Sequence, residues 1–538
     1  MIRFQETFRN ESELVAVTLA LGAEFAGGPL TAAEVALCKT AAQIIPAKAT
    51  VDSLRELVLS GEDPLGDIFS ILRSSEERRE HGATYTPTRI VKKMVEWATA
   101  TGNPSRIIDP GVGSARFLTH AGAAFPNADL VGIDVDPLAA LMARANLAVN
   151  GLGRRSRIIL GDYRRFSERV DGNTLYIGNP PYVRHHQIPT KWKEWLTSEA
   201  LKLGLTVSKL AGLHVYFFLA TATGAKAKDF GAFITASEWL DVNYGALVRS
   251  LMIGNLGGNS VTVIEPTAQP FPDAATTATI TTFEIGAKPA SLYFRRIDSL
   301  DKLDELGKGR KVARDRLATE ERWSHLTRAS KKPPADYVEL GELCRVHRGT
   351  VTGANGVWIE GAHSAGLPAS VLFPTITRAR EVLEAGGLLS DTARLRRVID
   401  LPADLDELGT AERSAVMKFL KVARSMGANE GYVASHRKAW WSVGLRAAAP
   451  IISTYMARRP PGFIINKADA RHINIAHGLY PREHLSDKAK KTLVDYLQVN
   501  ISQRSGRTYA GGLTKFEPRE MERLIVPGPS LLSAGVIL

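Results

Sequence analysis

The chain has 538 residues, 44% hydrophobic and 23% charged, with 46 Gly and 27 Pro, a composition that argues against collagen-like, low-complexity and rod-like coiled-coil proteins and leaves room for several domains. Its 68 Lys and Arg against 56 Asp and Glu give a formal charge of +12, which favours a polyanionic partner, nucleic acid first, without identifying one. Cys38 and Cys344 lie far apart and outside any Cys-x-x-Cys pair, which argues against a disulfide scaffold or a cysteine zinc site and fits a reducing cytoplasm.

Residues 1–80 read as an N-terminal helical segment. Glu34 to Ile45 and Val51 to Leu72 carry apolar residues at helical spacing, the second run broken by Gly61-Glu62-Asp63-Pro64. The start, Met1-Ile2-Arg3-Phe4-Gln5-Glu6, has no signal-peptide pattern, so secretion is not expected. Over 81–290 the pattern changes to short apolar runs, most followed by a turn and a helix-like stretch. Ile107-Ile108, Leu130 to Ile133, Arg157 to Leu160, Leu175 to Ile177, Gly231 to Thr235, Ser260 to Ile264 and Thr279 to Ile285 are the predicted strands. Alternation of strands and helices predicts an α/β fold, a mostly parallel sheet with helices on both faces, with the last two runs as an antiparallel hairpin at its edge. The longest apolar run, Leu213 to Gly224, falls short of the roughly 20 residues of a membrane span. Residues 291–336 turn highly charged, end in Lys331-Lys332-Pro333-Pro334 and read as a linker. Residues 337–538 mix strand-like and helical pieces with basic residues in a fold that pattern alone does not give.

The chemistry-bearing motifs lie where the predicted strands end. Ile107-Ile108-Asp109-Pro110-Gly111-Val112-Gly113 is a strand, an acid and a glycine loop; glycines at 111 and 113 let backbone approach a ligand closely. The loop lacks a third glycine, having Arg116 instead, and opens with an acid, which would repel a pyrophosphate and attract an ammonium group. Asp134 ends the next strand at the distance where an acidic residue grips the two ribose hydroxyls of a nucleoside cofactor. Asp162, in Gly161-Asp162-Tyr163, follows the third strand and can accept a hydrogen bond from an adenine amino group. The fourth strand runs directly into Asn179-Pro180-Pro181-Tyr182. Two prolines remove two N–H donors and leave a rigid turn of acceptors, with the Asn179 side-chain oxygen and the Pro180 carbonyl for an exocyclic amino group and the Tyr182 ring as a flat face.

In this order the residues resemble the class I S-adenosylmethionine-dependent methyltransferases. More closely they resemble the adenine-N6 DNA methyltransferases of restriction–modification systems in the gamma arrangement, with the catalytic domain first and a target-recognition domain last. The segment His81-Gly82-Ala83-Thr84-Tyr85-Thr86-Pro87 resembles the turn that closes over the methionine end of the cofactor, and implies Thr86 as a cofactor-binding residue beside Asp109, Gly111, Gly113, Asp134 and Asp162. Pro270-Phe271-Pro272 resembles a loop whose aromatic residue stacks on the extruded base opposite Tyr182. Downstream, Leu340 to Asn355 and Arg507 to Pro518 resemble parts of a target-recognition domain. The resemblance implies a Rossmann-like class I methyltransferase sheet with a C-terminal α+β domain, S-adenosyl-L-methionine as cofactor with S-adenosyl-L-homocysteine as product, no metal, double-stranded DNA as substrate, a cytoplasmic enzyme, and room for a separately encoded cognate restriction endonuclease.

The amino group of adenine is a poor nucleophile, and hydrogen bonds from it to Asn179 and Pro180 would direct its lone pair at the methyl group. The base must first leave the duplex. Cytosine-C5 methylation needs a cysteine in a context that neither Cys38 nor Cys344 offers. Cytosine-N4 methylation shares the amino-group logic and is the main alternative; Asn rather than Ser before Pro-Pro favours adenine. His185 and His186 read as phosphate or substrate-backbone contacts. A DNA-binding modification subunit inactive without a partner is the other class of reading. The 80 residues ahead of the Tyr-Thr-Pro motif show no nuclease pattern, so a stand-alone methyltransferase is expected. Arg348, Lys438, Arg458, Arg459, Arg471 and Arg507 are the candidate DNA contacts.

Overall fold

A computed structural model describes residues 8–73, 77, 85–168, 170–265, 268, 270, 277–327, 334, 336–457, 459–501, 507–509 and 513–535. The chain divides into two compact units, Met1–Ser330 and Lys331–Leu538.

The first unit is built on one nine-stranded sheet. Its strands are β1 (Arg106–Asp109), β2 (Asp129–Asp134), β3 (Ser156–Leu160), β4 (Thr174–Gly178), β5 (Phe230–Ala236), β6 (Gly258–Ile264), β7 (Ala278–Glu284), β8 (Ser291–Ile297) and β9 (Arg310–Ala313), in the order β3-β2-β1-β4-β5-β7-β6-β8-β9. Strands β3 to β5 pair in parallel, and β7 runs antiparallel between β5 and β6. Every residue of β1 and β4 is buried, the mark of parallel strands covered on both faces. The covering helices are α5 (Thr88–Thr101) and α6 (Arg116–Ala124), which share a core with Ile107 and Ile177, and α8 (Thr190–Lys202), α9 (Leu213–Gly224) and α10 (Ala246–Ile253), which share another with Ile108 and Tyr176.

Two expectations are corrected. The antiparallel pair β6 and β7 is not at the edge, because β8 adds to β6 in parallel and β9 closes beyond it. The segment expected to be a charged linker, 291–336, accordingly supplies two strands and the helix α11 (Arg314–Thr319) to the first unit. In β8 Leu292, Phe294 and Ile297 are buried, while the adjacent Arg295 and Arg296, on opposite faces, reach carboxylates at Asp304 and Glu265.

The N-terminal helices α1 (Glu11–Ala20), α2 (Ala32–Ala41), α3 (Lys48–Leu59) and α4 (Pro64–Leu72) start at caps legible in the sequence: Asn10 for α1, the Thr31/Glu34 capping box for α2, and Asp63 with Pro64 for α4. They cover the outer side of α7 (Pro137–Val149), whose Leu138, Leu141, Met142 and Ala145 share a core with Leu14, Leu54, Leu65 and Phe69. This cover is why Arg144, in mid-helix, is fully buried. It pairs with the equally buried Glu34 at 2.7 Å and donates to the carbonyls of Ala26, Gly28 and Pro29. Removing one partner of such a pair costs about 3–5 kcal/mol.

The second unit is α+β. A five-stranded sheet, in the order 344–348, 476–481, 451–454, 463–466, 388–389, carries the helix Asp487–Asn500. A three-stranded sheet around Leu372–Ile376 and the helix Thr410–Ser425, packed on Trp358 and Ile399, form a second core. Among the described residues no helix is long and apolar enough to cross a membrane.

Candidate active site

The ends of β3, β2, β1 and β4 open on one cavity of about 350 Å³, at the carboxyl ends of parallel strands where open α/β sheets bind ligands. Its wall contains Gly111 and Gly113 after β1, Asp134 at the end of β2, Asp162 after β3 and Asn179 and Pro181 after β4. Residues some 70 apart in sequence are brought to one surface because each ends a strand of the same sheet.

The glycine loop turns through left-handed backbone at Gly113 (φ +51°) and Ala115 (φ +65°). It is fastened at both ends. Asp134 Oδ2 accepts the Gly113 N–H at 2.9 Å and Oδ1 the Asp136 N–H at 3.0 Å, so each oxygen keeps acceptor capacity for a ligand. Burial raises the Asp134 carboxyl pKa, against the lowering effect of those N–H groups. Asp109 is fully buried and stands behind the loop, not on the cavity wall. Its Oδ1 has only a 3.5 Å contact with the Gly111 N–H and its Oδ2 has no hydrogen-bond partner. Burial drives its pKa far up, and the Asp134 charge adds to the rise. A cation over the loop would relieve both carboxylates.

Asp162 lies on the cavity wall, where it already has a partner. Its side chain is held by Arg164, Oδ1 accepting from Arg164 N (3.0 Å) and Nε (2.8 Å) and Oδ2 from Nη2 (2.5 Å). A lone pair remains on Oδ2, so Asp162 is half of a fork and not a free acceptor.

The turn from Asn179 to Tyr182 is fixed from upstream. Asn179 Nδ2 donates to Thr86 Oγ1 at 3.1 Å, and Tyr182 Oη donates to Asn179 Oδ1 at 2.6 Å and to the Ile234 carbonyl at 3.2 Å. These bonds orient the amide. Thr86 itself lies on the cavity wall and is buried. Pro180 is buried, and Tyr182 stands off the cofactor cavity, its ring edge-on to His214 with centroids 6.4 Å apart. Burial drops the His214 pKa to about 4, which leaves a neutral imidazole beside the turn. His185 and His186 are also off the cavity wall.

The sequence reading missed what holds this surface. Asp63, the cap of α4, accepts from Ser114 Oγ in the glycine loop, from Asn146 at 3.2 Å and from Arg116 Nε at 3.0 Å. Arg116 also donates to the Thr86 carbonyl at 2.6 Å. The N-terminal helices thus bind the loop and the Thr86 segment together, and Phe69 and Tyr85 close the wall. The replacement of a third glycine by Arg116 was the available signal; its partner, 53 residues upstream, was not visible in the pattern.

In the second unit Lys438 and Arg459 are exposed, Arg348 is paired with Glu517, and Arg471 donates to the Arg446 carbonyl at 2.7 Å. The structure does not gather these residues into one site. Phe271, Arg458 and the Arg507 side chain lie outside the described residues. A recess that went unpredicted is lined by Arg345, His347, Arg446, Ala447, Tyr480, Pro481 and Arg482, with no carboxylate on its wall. Burial, then Arg446 and Arg345, lowers the His347 pKa.

Comparison with known proteins agrees with this geometry. Residues 60–203 match the family described as N-6 DNA Methylase, 172–264 the Eco57I restriction-modification methylase, and 314–535 the C-terminal domain of type II methyltransferase M.Eco57I. The chain is 49% identical over 530 residues to type II methyltransferase M.XamI of Xanthomonas campestris pv. amaranthicola, covering 98% of this chain and 100% of that one. It is 22% identical to type II methyltransferase M.AccI of Acinetobacter calcoaceticus, covering 84% and 86%. Its fold is similar to that of the type IIL restriction-modification enzyme MmeI, solved in complex with DNA, with TM-score 0.54 and 12% identity over 87% of this chain and 72% of that one. The chain belongs to the type II methyltransferases.

Proposed function

We propose that this chain methylates the N6 amino group of an adenine extruded from double-stranded DNA, as the modification enzyme of a restriction–modification system. The observation that carries this reading is the Asn179 amide at the end of β4, fixed by Thr86 and Tyr182 on the wall of a cavity that also presents Asp134 and the glycine loop. The cavity suits S-adenosylmethionine: a buried, unpartnered carboxylate oxygen at Asp109 answers an ammonium group through the loop, and the spare acceptor positions of Asp134 answer two ribose hydroxyls. When bound there, the cofactor supplies an electrophilic methyl group on a sulfonium.

The residues of the chain do the rest. Asn179 Oδ1 and the Pro180 carbonyl accept the two N6–H bonds of the adenine, which turns the nitrogen lone pair toward the cavity and stabilises the positive charge it gains. Tyr182 offers its ring beside that acceptor, with Phe271 as the expected opposite face. The proton leaves to water, since His214 is held neutral by burial and is a poor base at its pKa of about 4. The second unit takes up DNA, and the recess of Arg345, His347, Arg446 and Arg482, with no carboxylate on its wall, has the basic side chains that a backbone phosphate requires. A cognate endonuclease, separately encoded, completes the system.

The test is to incubate the purified chain with methyl-labelled cofactor and DNA, digest the DNA and separate the nucleosides. Label in N6-methyladenine is expected. Label in N4-methylcytosine establishes the cytosine reading, and no label without an added partner establishes the dependent-subunit reading.

A further inference from the structure

The helix α4 is bonded at its two ends to two loops of the cofactor cavity. At its C-terminal end Arg73 pairs with Asp136 and, at 2.6 Å, with Glu11 of α1; the Asp136 N–H is the one that Asp134 Oδ1 accepts. At its N-terminal end stands Asp63, with a side chain 5% exposed. Its Oδ1 caps the helix, accepting the Gly66 N–H at 3.0 Å, and takes Asn146 Nδ2 at 3.2 Å. Its Oδ2 has no part in the cap. It accepts instead from Ser114 Oγ in the glycine loop and from Arg116 Nε and Nη2 at 3.0 and 2.9 Å. A buried carboxylate given this many donors keeps one position.

The third nitrogen of Arg116 continues the path. Nη1 donates to the Thr86 carbonyl at 2.6 Å, and Thr86 Oγ1 accepts from Asn179 Nδ2 at 3.1 Å. Ser114, Arg116, Thr86 and Asn179 all line the cavity, whereas Asp63 does not. We propose that Asp63 is a positioning residue for methyl transfer. Through Ser114 it fixes the glycine loop of the cofactor cavity, and through Arg116 and Thr86 it fixes the amide that receives the adenine amino group. One carboxylate thereby keeps the two halves of the site in register across β1 and β4. The effect is geometric, because a displacement of about 1 Å between reacting groups costs up to about 100-fold in rate. This rests on the reading of Asn179 as the acceptor in a methyl-transferring site.

Asp63→Asn is the discriminating variant. Asn caps helices as well as Asp does, so α4 keeps its Gly66 bond while an amide nitrogen replaces the oxygen that faces Ser114 and Arg116. Arg116→Gln breaks the same path without touching the cap. Arg73→Gln releases the other end of α4 and controls for general loosening of the helix. In each full-length variant, calorimetry with S-adenosylhomocysteine counts the competent sites. The single-turnover methylation rate is then measured per competent site at saturating S-adenosylmethionine and DNA. Asp63→Asn and Arg116→Gln are each expected to lower that rate roughly 10–100-fold. The double variant should fall within about threefold of the slower single, because both act on one path, and Arg73→Gln within about threefold of wild type. The proposal is overturned if Asp63→Asn loses sites or melting temperature but keeps the wild-type rate per site, if the two effects multiply, or if Arg73→Gln is as slow as Asp63→Asn. Should Asp63→Asn form no competent sites, the rate of Arg116→Gln decides by the same margins; if neither forms them, the contacts are structural and the proposal falls. A wild type that binds cofactor but transfers no methyl group fails the functional reading and takes the proposal with it, whereas a wild type matched in rate by Asp63→Asn overturns the proposal alone.

Discussion

The two units use charge in opposite ways. In the first, the polar groups that matter are buried and counted: Asp134 accepts two N–H groups, Asp63 ties three segments together, and Asn179 is oriented through both ends of its amide. In the second, the recess of Arg345, Arg446 and Arg482 has no carboxylate among the residues on its wall. Chemistry needs a few groups held in one geometry at low dielectric, where each is worth several kcal/mol. Holding a polyanion needs many screened contacts, each worth little alone. Single substitutions should therefore be severe in the first unit and mild in the second.

The largest expected effect is at Asn179. Asn179→Ala should lower the single-turnover methylation rate by about 10²–10³, as loss of one preorganised hydrogen-bonding group does elsewhere, with DNA affinity unchanged in a gel-shift titration. In the second unit a comparable loss should take several residues together. Arg345, Arg446 and Arg482 replaced by Ala should weaken DNA binding about 100-fold at low salt and reduce the slope of log affinity against log salt by about 2–3, near 0.9 for each phosphate that is no longer neutralised; a slope that stays put removes the recess from the interface.

Asp134→Ala should weaken S-adenosylhomocysteine binding by about 1–3 kcal/mol, the value of a hydrogen-bonded charged group, read by calorimetry. A smaller effect follows from its titration. Burial raises the pKa of Asp134 and Asp109 in the free enzyme, and a bound ammonium group with ribose hydroxyls favours both carboxylates. Binding must then release protons, so affinity should rise with pH through the raised carboxyl range and level off above it. Calorimetry in two buffers of different ionisation enthalpy measures that release; proton uptake would contradict it.

Legibility followed the same division. Strands β1 to β7 were readable because each is a short apolar run ending in a turn, and the candidate residues Gly111, Gly113, Asp134, Asp162 and Asn179 come to one cavity wall because parallel strands deliver their carboxyl ends to one surface. What escaped in that unit was of two kinds: β8 and β9 each carry a pair of adjacent basic residues, and Asp63, 53 residues before Arg116, is bound to it only through the fold. Asp162 was found, while the fork that occupies it was not, although Arg164 is two residues away; spacing gives proximity but not which donor takes which lone pair. In the second unit the strands are short and paired out of sequence order, as where 388–389 lies beside 463–466, so the pattern gave basic residues without their grouping. Arg348 looked available and is paired with Glu517, whereas Arg345, one strand face away, was overlooked.

The central claim is that the buried turn performs the chemistry and the exposed surface performs the binding. Its most direct test combines Asn179→Ala with the triple arginine substitution and measures both DNA affinity and the single-turnover methylation rate at saturating DNA. The two effects are expected to stay separate: the combined variant should have the affinity of the triple variant alone and the rate of Asn179→Ala alone. A triple variant whose rate at saturating DNA falls as far as that of Asn179→Ala, or an Asn179→Ala protein that loses DNA affinity as the triple variant does, would contradict it.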